Sequence, residues 1–412
     1  MHLQDITNLL NLQGIIVTKF IYGIEDTIYI TAEPIEYTQT CPCCKSSKVI
    51  RRGSSGVRKI KHLPILQYEV ILKVPKIRMS CKDCGAYFTW QYTFVTGKSR
   101  YTNEFKEFIA TKVPGATVLH CGKTLDIPYS TVERIYKNYI DERVPKMQEM
   151  VILESSNTSK LVLGIDDFAI RKGHTYNTGI HDLRNGTLLE IIPGRKLEEL
   201  RKHKSINPKL FQLEPFAIVI DLAQYYHTFA KEVYPNAIRI ADRFHVNSYA
   251  MDALKEVRKR ISCDLAPAAR TVLKRNKSVL EKRNEYLTSK EVEMLKQLLS
   301  LSPNLKAVYE WKEELIEWYD CCSSIIQATN VFDKWCRQGH LLNIPEVERA
   351  LITFENWRQE IINYHYCRYT NAAVEGRNGK IKSLQRRHYF TRNKDYYKGR
   401  ILLECNSQFL TV

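Results

Sequence analysis

Three short apolar runs in this chain end the same way: Leu161-Val-Leu-Gly-Ile-Asp166, Ala217-Ile-Val-Ile-Asp221 and Ala237-Ile-Arg-Ile-Ala-Asp242. Apolar runs of this length are those of buried strands, and each carries an acid at its carboxyl end. In a sheet of parallel strands those ends meet at one rim, where helices leave the backbone uncovered and ligands bind. The pattern therefore predicts an α/β sheet on which several carboxylates converge.

The segments between and after these runs extend the pattern. Residues 175 to 183 and 187 to 192 flank Arg184-Asn-Gly186, where Asn-Gly supplies the positive φ angles of a tight hairpin turn. Strands two and three are then antiparallel. A charged helix over residues 197 to 203 precedes the Asp221 strand, and a helix over residues 225 to 233 precedes the Asp242 strand. Strand, strand, strand, helix, strand, helix, strand is the order of a ribonuclease H-like core, here covering residues 158–250. After Asp242-Arg-Phe-His245 more than a hundred residues, rich in Lys, Glu and Leu with heptad-like spacing, read as an inserted helical domain over 251–365. The chain returns to the core over 366–412 through Thr370-Asn-Ala-Ala-Val-Glu375-Gly-Arg-Asn-Gly-Lys-Ile-Lys382, in which Asn371 can cap a helix and Glu375 falls in its first turns.

Charge narrows the partners. The 62 Lys and Arg residues against 45 Asp and Glu leave a net +17, which favours a polyanion, because neutralising phosphates releases condensed counterions. Nucleic acid is the first candidate. The N-terminus lacks the basic start and apolar run of a secretory leader, and no apolar stretch reaches membrane-spanning length, so a cytoplasmic protein without membrane contact is expected.

Twelve cysteines are unevenly placed, five of them between Cys41 and Cys84. Cys41-Pro-Cys-Cys44 and Cys81-Lys-Asp-Cys84 form two C-x-x-C knuckles, and a zinc ion needs four soft ligands in a tetrahedron. Cys41, Cys44, Cys81 and Cys84 are the expected zinc ligands of a ribbon over 39–97, with Cys43 left over. Residues 1–38 read as an adaptor of one short helix and two strands. From 98 to 148 the pattern turns helical, and Leu125-Asp-Ile-Pro-Tyr-Ser-Thr-Val132 has the form of a helix-turn-helix turn with Ser130 capping the second helix. That helix places Val132, Ile135 and Tyr136 on one face and leaves Arg134, Lys137 and Asn138 for DNA. Gly122-Lys-Thr124 lacks the upstream glycine of a phosphate-binding loop.

Hard oxygen ligands converging beside a basic surface suit phosphodiester chemistry by two divalent cations, roughly 3.5 to 4 Å apart. One ion activates the attacking oxygen and the other stabilises the leaving oxygen. A 3′-hydroxyl can replace water as nucleophile, so one site can both cut and join DNA. On the last helix Glu375, Lys382 and Arg386 share one face by the 3.6-residue period, with Val374, Ile381 and Leu384 on the neighbouring, core-facing side.

At these residues the chain resembles the ISL-three family of insertion-sequence transposases. The resemblance is carried by the cysteine ribbon, by Gly164-Ile-Asp166-Asp-Phe-Ala169 with Arg171-Lys-Gly173 and Tyr176, by the Asp221 strand, and by Pro235-Asn-Ala237 leading into Asp242-Arg-Phe-His245. It continues through Asn371, Val374-Glu-Gly376, Lys380-Ile-Lys382 and Arg386-Arg387, and so spans nearly the whole chain. The resemblance implies a ribonuclease H-like core interrupted by a helical insertion, with Asp166, Asp221 and Glu375 holding two Mg²⁺ or Mn²⁺ ions. Asp166 rather than Asp167 ends the apolar run and matches the family's first acid. Asp167, Asp242 and His245 are supporting residues, and Asp242 with His245 resembles the D-x-x-H element of transposases with helical insertions. Lys380, Lys382, Arg386 and Arg387 are expected on the DNA path. The family further implies recognition of terminal inverted repeats by the N-terminal modules, joining to target DNA, and a homo-oligomer on paired ends. Two rival readings remain at this stage: a zinc-ribbon and helix-turn-helix regulator with structural acids, and a nuclease that cuts without joining.

Overall fold

The computed structural model describes residues 2–171, 175–388 and 393–410, in two compact units divided between Glu142 and Arg143. Lys172 and Gly173 of the Arg171-Lys-Gly173 segment lie outside the described residues.

In the first unit, helix α1 (Leu3–Leu10) is followed by strands β1 (Ile15–Tyr22), β2 (Thr27–Pro34), β3 (Val49–Ile65), β4 (Tyr68–Cys81) and β5 (Tyr87–Thr89). They form one sheet in the order β1-β2-β4-β3, with β5 added to β4. The strands expected in a separate adaptor thus share a sheet with the ribbon, because β2 pairs in parallel with β4 from Thr27↔Glu69 to Thr31↔Lys73. Alternation along β4 buries Val70, Leu72 and Val74, which pack with Ile6, Leu10, Ile28, Ile30 and Ile60 in a small core. Three helices follow: α2 (Asn103–Lys112), α3 (Val118–Thr124) and α4 (Tyr129–Ser156), the last continuing into the second unit. Ser130 does not cap α4. The Pro128 carbonyl accepts from Thr131 N at 2.9 Å and Val132 N at 3.2 Å, so the helix begins one residue before Ser130 and the fixed φ of proline starts it. Helix α4 also runs on through Pro145, well past the expected end.

The second unit is built on a five-stranded sheet of β6 (Val162–Arg171), β7 (Thr175–Asp182), β8 (Thr187–Pro193), β9 (Ala217–Ile220) and β10 (Ile238–Ala241), in the order β10-β9-β6-β7-β8. β10, β9 and β6 are parallel; β7 and β8 are antiparallel additions. Helix α5 (Leu197–Ile206) connects β8 to β9, and α6 (Gln224–Val233) connects β9 to β10. The β7–β8 connection departs from the tight Asn-Gly turn expected over Arg184-Asn-Gly186. Asp182 Oδ1 accepts from Arg184 N at 2.8 Å and Asn185 N at 3.1 Å, which closes a four-residue loop in which only Gly186 takes positive φ. A carboxylate placed before the turn outcompetes the Asn-Gly preference.

The inserted segment is helical but irregular: α7 (Arg243–Asp264), α8 (Pro267–Arg275), α9 (Lys277–Glu281), α10 (Ser289–Leu299), α11 (Pro303–Cys321), α12 (Ile325–Leu341), α13 (Pro345–Asn356), α14 (Arg358–Ile362) and α15 (Tyr364–Cys367). Its centre is aromatic rather than a heptad seam. Trp311 and Trp335 stack at 4.5 Å and 8°, with Phe354 against both. Two further helices, α16 (Ala372–His388) and α17 (Lys394–Cys405), return to the sheet, α16 against β6 and α17 against β8. Helix α16 comes close because β6 carries Gly164. A Cβ there would stand 2.7 Å from Asn371 Oδ1, 2.8 Å from Leu183 Cδ2 and 3.0 Å from Val374 Cγ2.

Candidate active site

Register brings the acids together. Ile165 of β6 pairs with Ile220 of β9, and Ile220 with Ala241 of β10, so the next residues, Asp166, Asp221 and Asp242, stand in one row across three adjacent parallel strands. Strand β6 does not end at Asp166 but continues to Arg171, paired on its other side with β7, where Asp166 faces Gly179 and Asp167 faces Thr178. Asp166 is therefore the point where pairing with β9 stops rather than a strand end.

Asp166 and Asp167 point apart, as neighbours on a strand must. Asp166 is buried; its Oδ1 accepts from Asp167 N at 2.7 Å and its Oδ2 from Asn378 Nδ2 at 2.8 Å. Asp167 is half-buried and pairs with Arg195 at 3.0 Å, whose guanidinium also lies 4.0 Å over the Tyr176 ring. Burial, and then the Asp221 charge, push the Asp166 carboxyl up to about 7.

His245 sits on the first turn of α7, three residues after Asp242. Its Nδ1 lies 3.0 Å from Asp221 Oδ1 and 3.1 Å from Asp242 Oδ2, and the Asp242 contact has hydrogen-bond geometry. Contacts to Asp221 and Asp242 raise the imidazole to about 10. The other Asp242 oxygen accepts the Asn371 backbone N–H at 2.9 Å, so this carboxylate, 1% exposed, joins the start of α7 to the start of α16. Asp221 Oδ1 is also buried; it has the His245 contact but accepts no hydrogen bond of good geometry among the described residues.

Asn371 precedes α16 as expected, but its Nδ2 donates to Ile165 O at 3.3 Å, and its Oδ1, which a cap would turn to the helix N–H groups, accepts no hydrogen bond among the described residues. Glu375 is exposed in the first turn of that helix, and its carboxyl is raised by partial burial and then by Asp242. Val374, Ile381 and Leu384 are buried on the core side. Lys382 and Arg386 are exposed. Lys380 and Arg387 lean toward α17, Lys380 Nζ donating to Glu404 O at 2.6 Å and Arg387 Nη2 lying 3.4 Å from Glu404 Oε2. Arg134, Lys137 and Asn138 are exposed on α4, opposite the buried Val132, Ile135 and Tyr136.

Among the described residues, the oxygen and nitrogen atoms close enough to share one ion are those of Asp221, Asp242 and His245, all within 4.8 Å of one another; Asp166 feels the charge of Asp221 and His245, and Glu375 that of Asp242, His245 and Asp221. Crowded acids, with the buried Asp221 Oδ1 accepting no well-aligned hydrogen bond among the described residues, fit a hard divalent cation. Sequence reasoning missed Asn378 and Arg195. Asn378 was legible in principle, since it follows Glu375 by one helical turn.

The second cluster is Cys41, Cys44, Cys81 and Cys84, at the base of the β3–β4 hairpin. Sγ distances are 3.6 Å for Cys41–Cys84 and 3.5 Å for Cys44–Cys81. These are far longer than a disulfide and near the roughly 3.8 Å that tetrahedral Zn–S bonds of about 2.3 Å impose. Backbone N–H groups of the knuckles, first that of Cys44 for Cys41 and that of Cys84 for Cys81, lower these two thiols, Cys41 to about 6, whereas contacts with the neighbouring sulfurs and burial leave Cys44 and Cys84 raised, so the four do not all ionise without a cation among them.

Residues 163–401, more than half of the chain, match the transposase family of the ISL-three DDE type, and residues 38–84 match the zinc finger of the IS204/IS1001/IS1096/IS1165 transposases. The chain is 24% identical over 378 residues to the transposase for insertion sequence element IS1001 of Bordetella parapertussis, covering 90% of each. It is 22% identical over 367 residues to the transposase for insertion sequence element IS1557 of Mycobacterium tuberculosis, covering 84% of this chain and 80% of that one. The chain belongs to the ISL-three family of DDE transposases of insertion sequences.

Proposed function

We propose that this transposase binds the terminal inverted repeats of its element, cleaves the DNA ends and joins the resulting 3′-hydroxyl to target DNA at one site. The observation that carries the reading is the row of Asp166, Asp221 and Asp242 across β6, β9 and β10, with Glu375 brought to it on α16. The strand order and directions, with α5 and α6 as connections, support a ribonuclease H-like core over 158–250 and 366–412, interrupted by the helical insertion over 251–365.

Asp166, Asp221 and Glu375 would hold two divalent cations, Mg²⁺ or Mn²⁺. When bound, such ions lower the pKa of the attacking hydroxyl and neutralise the leaving oxygen. The chain's own work is to fix the carboxylates. Asp242 has both oxygens engaged and is nearly inaccessible, so it serves by holding His245 and the start of α16. His245, held between Asp221 and Asp242, offsets the repulsion between their carboxylates. Asp167 is neutralised by Arg195, which leaves Asp166 as the first ligand. Helices α3 and α4, joined by the turn at residues 125–128, support a helix-turn-helix whose exposed Arg134, Lys137 and Asn138 reach DNA. Together with the zinc ribbon this would read the repeats, and pairing of two ends implies an oligomer.

Incubating the protein with end DNA and a target plasmid in Mg²⁺ tests the reading. Joined products that vanish in Asp221→Asn are expected. Cleavage without joining would reduce the protein to a nuclease, and binding without metal-dependent cleavage would reduce it to a regulator.

A further inference from the structure

Asn378 is buried, 5% exposed, on α16. Its Nδ2 donates to Asp166 Oδ2 at 2.8 Å and lies 3.4 Å from the Asp167 carbonyl oxygen. Both neighbours are acceptors, so the edge facing β6 is the NH₂ edge. The amide oxygen, Oδ1, is buried and has no hydrogen-bond partner among the described residues. Packing alone would not choose this residue. A leucine fills nearly the same space without stranding an acceptor, and a stranded acceptor is kept where the polar group has another task.

We infer that Asn378 is a positioning residue that sets the Asp166 carboxylate for metal binding and ties it to the helical turn carrying Glu375. With Asp167 N–H on one oxygen and Asn378 N–H on the other, the carboxylate plane is fixed. Each oxygen still keeps a lone pair for a cation. Because Asn378 follows Glu375 by three residues, one amide sets the distance between the acid of β6 and the acid of α16, 209 positions apart in the chain. The inference rests on the proposed roles of Asp166 and Glu375. It adds what makes those two acids a pair.

The test uses the full chain with Asn378→Leu, Asn378→Ala and Asn378→Asp. Mn²⁺ affinity is read without DNA from the free-ion electron paramagnetic resonance signal, alongside thermal stability, end binding and the Mg²⁺ dependence of cleavage. Leucine and alanine variants are expected to weaken Mn²⁺ binding by about tenfold or more, as loss of a partner that orients a metal ligand does. Half-saturating Mg²⁺ should rise in parallel, with end binding within twofold and Tm within a few degrees. Asn378→Asp should be worse than Asn378→Leu near neutral pH, since it sets a second carboxylate against Asp166. Wild-type Mn²⁺ affinity in either the leucine or the alanine variant overturns the inference, as does weakening seen only in variants that also lose the fold. Asp166→Ala serves as the separate control. If it still cleaves, the proposed ligand set fails; if it is inactive while Asn378→Leu titrates normally, only the role of Asn378 fails.

Discussion

The two metal centres of this transposase are built in opposite ways. The four sulfurs come from two short knuckles at the foot of one hairpin, each shaped by its own backbone: Lys45 N–H returns to Cys41 O and Gly85 N–H to Cys81 O. The acid centre draws on β6, β9, the start of α7 and the start of α16, and the entire inserted domain lies between Asp242 and Glu375. A centre made of local turns stabilises the fold around it, since a metal on its four sulfurs would cross-link the two ends of one hairpin at its foot. A centre made from distant segments is assembled by the fold and works against it, because unneutralised carboxylates repel.

This contrast can be broken most severely by taking away zinc. Chelation, or Cys81→Ser, should unfold the N-terminal unit, since structural zinc contributes about 10 kcal/mol or more in small domains. End binding should fail while the helical circular dichroism of the second unit persists. Zinc content and gel-shift affinity of the same preparation check this, and a zinc-free protein that still binds ends normally would break the contrast.

Removing an acid should do the reverse. Asp166→Ala, Asp221→Ala and Glu375→Ala are each expected to lower cleavage by about a thousandfold, several kcal/mol of transition-state stabilisation, with end binding within a few-fold. Asp166→Asn should also raise Tm in metal-free buffer above pH 7, because burial and Asp221 already oppose its ionisation. A fall in Tm would show that the acid stabilises the fold.

Away from both centres, Glu190 of β8 is a buried acid that does stabilise. Burial would raise its carboxyl, but His203, Lys398 at 2.6 Å and Asn207 at 2.8 Å outweigh burial and lower it to about 2. A folded pKa below the unfolded one gives stability that is present above about pH 4.5 and lost as pH falls toward 2, on the order of 3 kcal/mol. Acid unfolding of Glu190→Gln should start from lower stability and show a shallower pH dependence in that window.

Gly164→Ala sharpens the comparison at the seam between strand and helix. The added methyl meets Asn371, Leu183 and Val374 at 3.0 Å or less and should cost about 1–3 kcal/mol. Cleavage should fall by up to about a hundredfold through displacement of Glu375, a larger effect than the stability change explains. The smallest effect is expected at Lys382→Ala, where one lost phosphate contact lowers the slope of log affinity against log salt by about one and weakens all DNA sequences alike. An unchanged slope would place this exposed lysine in solvent.

The sequence by itself determined the parts that depend on local spacing. Two C-x-x-C knuckles place four thiolates by turn geometry alone, and apolar runs of strand length put acids where the sheet opens. The 3.6-residue period also divides α16 into a buried Val374, Ile381 and Leu384 side and an exposed Glu375, Lys382 and Arg386 side. Tertiary structure decided the relations between segments. Nothing local tells that Asp166 is held by Asn378 while Asp167 goes to Arg195, or that Asp242 spends both oxygens on His245 and Asn371. Asn371 and Pro128 show the same limit at helix ends, where caps expected from residue preference gave way to a strand carbonyl and to a proline. The physical reason is that a hydrogen bond between residues 212 positions apart exists only once a core has brought β6 and α16 together, and only packing, here through Gly164, sets how closely they meet.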